Sequence, residues 1–367
     1  MRVERTMTRF VLSLSVLACT LTFQTFCMAD DPDPNLPSEP AVQPGAVPIT
    51  ELPYTITESG SYCLTQNLTH SDRYTNAIEV DTNNVTIDLG GYNLVGPTTS
   101  YNETCSGIYM DMCSNVEIRN GTITNFPYRG IFGDNSGETL VSSGNRVISV
   151  RVTSVGAEGI FLEGVSHIIK SCTVTNTQLE LDQGYGAITC GPLCSVTGNV
   201  VSRLRISGIQ TLPGCTIRDN TVGDCSYGIV PADGCSIIDN TVYFAFDGIS
   251  VVDVAGCLIR GNTIRECQGN GVSMEGFDNA IEANLVTSSE VGFYFTYGEN
   301  VYANNRALYN GTNYSGQVPT GVYDGGGNIG AGTFVGGNVG AKLQLKTKTR
   351  MPEKLTRKSG QQKITTK

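Results

Sequence analysis

Asp81, Asp111, Asp134 and Glu163 each stand three residues beyond a recurring apolar position, at Ile78, Ile108, Ile131 and Ile160. If those positions stack, the four carboxylates line up about 5 Å apart on one outward face, where they repel unless a proton or cation intervenes. Oxygen ligands at that spacing suit Ca2+, the one cofactor these residues suggest. A calcium-lined carboxylate groove would capture an acidic polysaccharide or cell-surface glycan; a solvated acidic face is the alternative. Arg129 and Glu158, each two residues before an apolar marker, stand beside the stripe. Together with Asp111, Asp134 and Glu163 they are the candidates for acid–base catalysis, since carboxylates about 5–9 Å apart can hydrolyse glycosides. A less regular acidic group, Asp247, Asp253, Glu275 and Asp278, follows later.

Two further side chains are candidate substrate contacts. Lys170 is the only lysine between residues 30 and 340 and can act as a lyase-type base, or else be an ordinary turn cation. Tyr294 is expected to point outward, where a phenol can stack on a sugar ring. A third chemistry is soft: Cys194, Cys215, Cys235 and Cys257 recur in one register, with His167 one coil earlier. Such a ladder supplies metal ligands, or simply buries small apolar side chains. With only 2 His in the chain, a three-His zinc site is impossible.

The elements that must position these groups are short strands. Gly- or Ala-led apolar markers recur at Ile78, Ile108, Ile131, Ile160, Ile188, Ile209, Ile229, Ile249, Val272, Phe293 and Val322. Between them a second element repeats as Cys215–Val222, Cys235–Val242 and Cys257–Ile264, alternating apolar and polar residues as strands do. A period near 21 residues with three short strands means one coil per repeat, each rising about 4.8 Å. Asn199, Asn220, Asn240, Asn262 and Asn284 fall at one place in successive coils. They are expected at tight turns in left-handed geometry, bonding the coils above and below.

On these repeats, on the opening segment Ile49–Ile56 and Gly60–Leu64, and on Asn84–Gly91, the chain resembles the right-handed parallel β-helix proteins of the pectin-lyase-like superfamily. The resemblance covers roughly 49–340 and implies an all-β solenoid of about eleven three-strand coils with its opening segment as a cap. It also implies that the first strand of each coil displays the functional side chains. If the protein is an enzyme, the resemblance implies a polysaccharide lyase or a glycoside hydrolase. The Gly-His-Gly, Asp-Pro-His and arginine-rich signatures of polygalacturonases, mannuronan epimerases and pectate lyases are missing. A non-catalytic surface or matrix protein is therefore the alternative. The cysteine ladder is also similar to features expected of β-helix proteins associated with periplasmic copper maturation, which makes a metal-handling role a third reading.

Composition agrees with many turns and few helices: 43 Gly in 367 residues and only 16% charged residues. The net charge of −10 averages two unlike parts. Residues 30–340 carry 32 acidic and 12 basic groups, whereas 341–367 hold nine Lys/Arg and one Glu. An anionic body argues against nucleic acid as partner. The basic tail 341–367 is expected to be disordered and free to touch an anionic surface. Residues 1–29 have the basic start, apolar stretch and small residues before the cut of a signal peptide, with a competing lipoprotein-type cut before Cys19. Residues 30–48 are a proline-rich linker, 49–340 the β-helix domain, and no later segment is long and apolar enough to span a membrane. The protein is thus expected outside the cytoplasm, secreted or periplasmic. In that compartment Cys105 with Cys113, and Cys190 with Cys194, are expected disulfides.

Overall fold

A computed structural model describes residues 45–98, 104–135, 142–177, 185–296, 299–316 and 323–330. The leader, Cys19, most of the proline-rich linker, Val322 and the basic tail lie outside the described residues. Every described element is a strand, and every strand pairing is parallel. Three short strands per coil stack on their equivalents in the coils before and after, so the chain builds three ribbon-like sheets joined at corners.

The first sheet is set by the apolar markers. Tyr54, Ile78, Ile108, Ile131, Ile160, Ile188, Ile209, Ile229, Ile249, Val272, Phe293 and Tyr314 pair in one unbroken register. From Ile78 to Phe293 these side chains are fully buried, one on another. Each buried Ile of this kind contributes about 1.5–3 kcal/mol relative to exposure. The register partner of Phe293 is Tyr314, not Val322 as the sequence spacing suggested. Tyr314 stacks its ring on Phe293 at 5.3 Å between centroids, so an aromatic takes the place a Gly-led Val was expected to fill.

The residue before most markers is Gly because the coil turns too closely for a side chain there. A Cβ at Gly248 would run into the carbonyl of Gly271 in the next coil and into Ile264.

The second and third sheets meet at the asparagine ladder. Each ladder amide donates to the side-chain oxygen of the next: Asn199 to Asn220, Asn220 to Asn240, Asn240 to Asn262 and Asn262 to Asn284, at 2.9–3.0 Å. Asn305 and Asn328 extend the ladder, and Cys172 N–H donates to Asn199 at its start. The left-handed backbone is not on the ladder residues. It falls one residue earlier, at Gly198, Asp219, Asp239, Gly261 and Ala283, with φ between 53° and 70°. The ladder residue itself is thereby turned inward, where a buried amide must find partners and does.

Candidate functional site

Alternation along the first sheet sends the residues one and three beyond each marker outward. The first of these positions reads Glu79, Tyr109, Phe132 and Phe161 in successive coils, paired in register. The rings of Tyr109, Phe132 and Phe161 form a continuous row, completed by Tyr185. Centroids are 5.4 Å apart from Tyr109 to Phe132, 5.6 Å from Phe132 to Phe161 and 5.1 Å from Phe161 to Tyr185, all tilted or edge-to-face. Tyr128 packs its edge on Phe132 at 6.1 Å.

The guanidinium of Arg129 sits among these rings, 4.2 Å from the Tyr128 centroid, 4.1 Å from Phe132 and 4.3 Å from Phe161. Its Nε donates to Glu158 Oε2 at 2.6 Å, with the two side chains 9% and 2% exposed. The two backbones are in adjacent coils, Gly130 N–H donating to the Glu158 carbonyl at 3.2 Å. A cation buried against ring faces and held by one carboxylate is a rigid brace. The sequence placed Arg129 and Glu158 among the catalytic candidates. The structure shuts both from solvent, because the rings that line the outer face lie over them.

The outward carboxylates frame this row. Asp111 and Asp134 are directly paired across neighbouring strands, and Asp134 accepts the Tyr109 hydroxyl at 3.0 Å. Burial and the bond to Asp134 push the Tyr109 phenol well above its usual range. Glu79 is also raised, by burial first and then by Asp81 and Asp111. Asp81 is exposed just past its strand. Glu163 turns aside to accept the Asn135 backbone N–H at 3.2 Å. Among the described residues no three of these carboxylates gather within 4.8 Å of one another.

A cavity of about 260 Å³ continues the row, lined by Asn135, Phe161, Glu163, Tyr185, Gln210 and Leu212 among others. Lys170 is exposed on the second sheet, paired with Ile148 and Thr197, and does not meet the carboxylates. Tyr294 occupies the outward position next to Phe293, but between Ser273 and Ser315, well beyond the row. In the later acidic group, Asp247 is raised by burial, although it accepts the Asn270 N–H at 2.7 Å.

The cysteines form a second centre. None of the eleven described cysteines is in a disulfide, which corrects the expected pairings of Cys105 with Cys113 and of Cys190 with Cys194. Cys113 instead donates to the Val80 carbonyl at 3.0 Å. Cys190, Cys194 and Cys215 bring their sulfurs within 4.8 Å of one another, fully enclosed. Two lie in the expected column and the third on the first-sheet strand Gly186–Cys190. The same column takes Asn145 and His167 upstream and Asn279 and Asn300 downstream, each accepting the backbone N–H of the preceding coil. His167 is not a free ligand: Nδ1 accepts from Asn145 N–H at 3.1 Å and Nε2–H donates to the Glu163 carbonyl at 2.6 Å. Burial lowers its pKa, so the ring is neutral. Cys194 and Cys215 are lowered mainly by the Cys190 thiol donating to them, and Cys190 is raised in return.

Known proteins share this architecture. Residues 165–339 match the family model described as periplasmic copper-binding protein (NosD). The periplasmic alginate epimerase AlgG superposes with a TM-score of 0.50 at 16% identity, over 73% of this chain and 68% of its own. The Dettilon tailspike protein superposes with a TM-score of 0.53 at 16% identity, over 72% of this chain and 61% of its own. The chain is a right-handed parallel β-helix of the pectin-lyase-like fold. No curated protein matches its sequence. The resemblance implied that the first sheet displays the functional side chains, and the aromatic row and the carboxylates Asp111 and Asp134 lie on it. The aromatic row was the part missed. Its signal was present one residue after the markers Ile108, Ile131 and Ile160, where Tyr109, Phe132 and Phe161 follow in turn.

Proposed function

We propose that this β-helix protein works outside the cytoplasm, binding a polysaccharide chain along the first-sheet face from Tyr109 to the cavity beside Tyr185. The observation that carries this reading is the row of four rings in mutual contact, leading into a mostly apolar cavity edged by a few polar groups. Sugars present apolar C–H faces and a rim of hydroxyls. The exposed Tyr185 ring and the half-buried Tyr109 and Phe132 rings meet the first, and Asp134 and Gln210 meet the second. Arg129 and Glu158 hold the rings in place from beneath.

The face is negatively charged, since its guanidinium is already paired. An acidic glycan therefore needs a divalent cation to approach, and Asp111 with Asp134 are placed to share one with the glycan's own carboxylates. NosD is described as a periplasmic family and AlgG as a periplasmic enzyme. Both descriptions accord with the export leader read in residues 1–29. Among the described residues no helix is long and apolar enough to cross a membrane.

The test is incubation of the protein with alginate, pectate and glycosaminoglycans, with and without calcium. Binding should require calcium, and Tyr185→Ala should weaken it about tenfold, the worth of some 1.4 kcal/mol. Tyr185 is half exposed, so its loss leaves the coil intact. Unsaturated products would identify a lyase, new reducing ends a hydrolase, and binding without turnover a surface or matrix protein. Equal binding by wild type and Tyr185→Ala would overturn the assignment of the face.

A further inference from the structure

We propose that Cys190, Cys194 and Cys215 form a three-sulfur site for one monovalent copper ion, buried behind the cavity at the end of the first-sheet face. The sulfurs lie within 4.8 Å of one another. A planar trigonal ion with metal–sulfur bonds of about 2.3 Å sets its ligands some 4 Å apart, so only a small closure is required. Soft sulfur selects Cu(I) or Zn2+, and the count of ligands decides between them. Structural zinc takes four. Here the nearest imidazole, His167, has both nitrogens engaged, and Cys235, whose thiol meets Cys215 as well as the Leu212 carbonyl and the Thr211 hydroxyl, does not lie within 4.8 Å of all three sulfurs. Three donors suit monovalent copper.

The surroundings favour bound thiolate. His167 N–H points at Cys194 Sγ at 3.2 Å, and Cys194 N–H at Cys215 Sγ at 3.3 Å. On binding, Cys194 and Cys215 release their protons to solvent and Cys190 adds its sulfur, leaving one net negative charge that those two amides stabilise. A ladder alone does not call for sulfur here. Asn145 above, and Asn279 and Asn300 below, accept the same backbone N–H and also donate to a carbonyl or to the next side chain. An amide is therefore the better ladder residue. Cysteine replaces it from Cys194 to Cys257, and only Cys194 and Cys215 are faced by a third thiol. In the following coil the register partner of Cys190 is Thr211.

An approach is also present. The turn Gly191–Leu193 covers the cluster with Leu193 exposed, and Cys190, Gly191 and Pro192 form part of the wall of the 260 Å³ cavity. All three cysteines lie within the span that matches the copper-binding family description, and their softness, number and enclosure fit that ion.

The test uses fully reduced full-length protein, Cu(I) alone as probe and a chromophoric Cu(I) chelator as competitor. Wild type and a Cys225→Ser/Cys267→Ser control should each hold one copper. Cys194→Ser and Cys215→Ser should lose affinity by more than about 100-fold, beyond the effect of losing an outer-shell partner. X-ray absorption at the copper edge should show sulfur alone in the first shell. If the serine variants fail to fold, alkylation of native wild type gives the answer, because Cu(I) should shield Cys190, Cys194 and Cys215 selectively. Complete loss of copper to the chelator, retention unchanged in both serine variants, or absence of selective shielding would overturn the site. Peptide mapping of a Cys190–Cys194 disulfide in protein isolated from culture would do the same. None of these readouts depends on glycan binding.

Discussion

Replacing one member of the Arg129–Glu158 pair is the sharpest test of how the ring row is held. In Arg129→Met the Glu158 carboxylate, 2% exposed, loses its partner at 2.6 Å. In Glu158→Leu the guanidinium stays among three rings without its counter-charge. Stranding a buried charge in this way costs about 3–5 kcal/mol. That lowers the ratio of folded to unfolded protein by roughly two to three and a half orders of magnitude. Loss of the cation from the ring faces adds about 0.5–2 kcal/mol in Arg129→Met. The double variant strands nothing and fills the space with apolar side chains. It should therefore recover most of the loss, giving an interaction term of at least about 3 kcal/mol in a double-mutant cycle. The chain has no Trp, so urea unfolding is followed by circular dichroism and tyrosine fluorescence. Two single variants costing less than about 1 kcal/mol each, or a double variant as unstable as the singles summed, would refute the brace.

Two other outcomes follow from buried polar groups. Asn240→Ala removes the acceptor of Asn220 N–H and Nδ2–H and the donor to the Ile217 carbonyl. With about 1–3 kcal/mol for each buried group left unpaired, it should destabilise by at least about 2 kcal/mol in urea unfolding, and a loss under about 0.5 kcal/mol would contradict the ladder's role. Asp247 has a folded pKa above its unfolded value because burial disfavours its charge. Its stabilising contribution is therefore present at low pH and lost as pH rises through the folded pKa. Asp247→Asn, which keeps the acceptor for Asn270 N–H, should stabilise at pH 7, with the gain shrinking toward acid; a gain that does not vary with pH would contradict this.

The coil architecture was legible because its signals are local and repeated. A buried Ile behind a Gly every 20 to 30 residues, and an Asn at a fixed offset, admit few arrangements other than stacked coils. After Phe293 the register passes to Tyr314, an aromatic without a preceding Gly that holds its place by stacking on Phe293, which a search for Gly-led aliphatic markers does not find. The carboxylates Asp111 and Asp134 take outward positions because alternation along the strand alone sets them there. Whether such residues are free is not local. Arg129 and Glu158 are closed off by rings from other coils, and Glu163 is turned by the Asn135 amide. The thiol cluster was half legible. Cys194 and Cys215 share a column, but Cys190 joins them only because its strand delivers it inward at the corner between sheets, and sequence spacing suggested a disulfide instead.

The ladders also have a direction. In both the asparagine and the cysteine columns, the backbone N–H of one coil donates to the side chain of the coil that follows it in the chain. A growing chain therefore always ends in a coil whose inner donors await residues not yet added, and the latest coil is the template for the next. Because each coil refers only to its neighbours, a unit of 20 to 22 residues can be duplicated or lost between ladder positions without disturbing the rest. The length of this protein is thus a quantity that evolution can adjust one coil at a time. The ring row and the thiol triad, built on coils that differ from their neighbours, are the two places where such an edit would be felt.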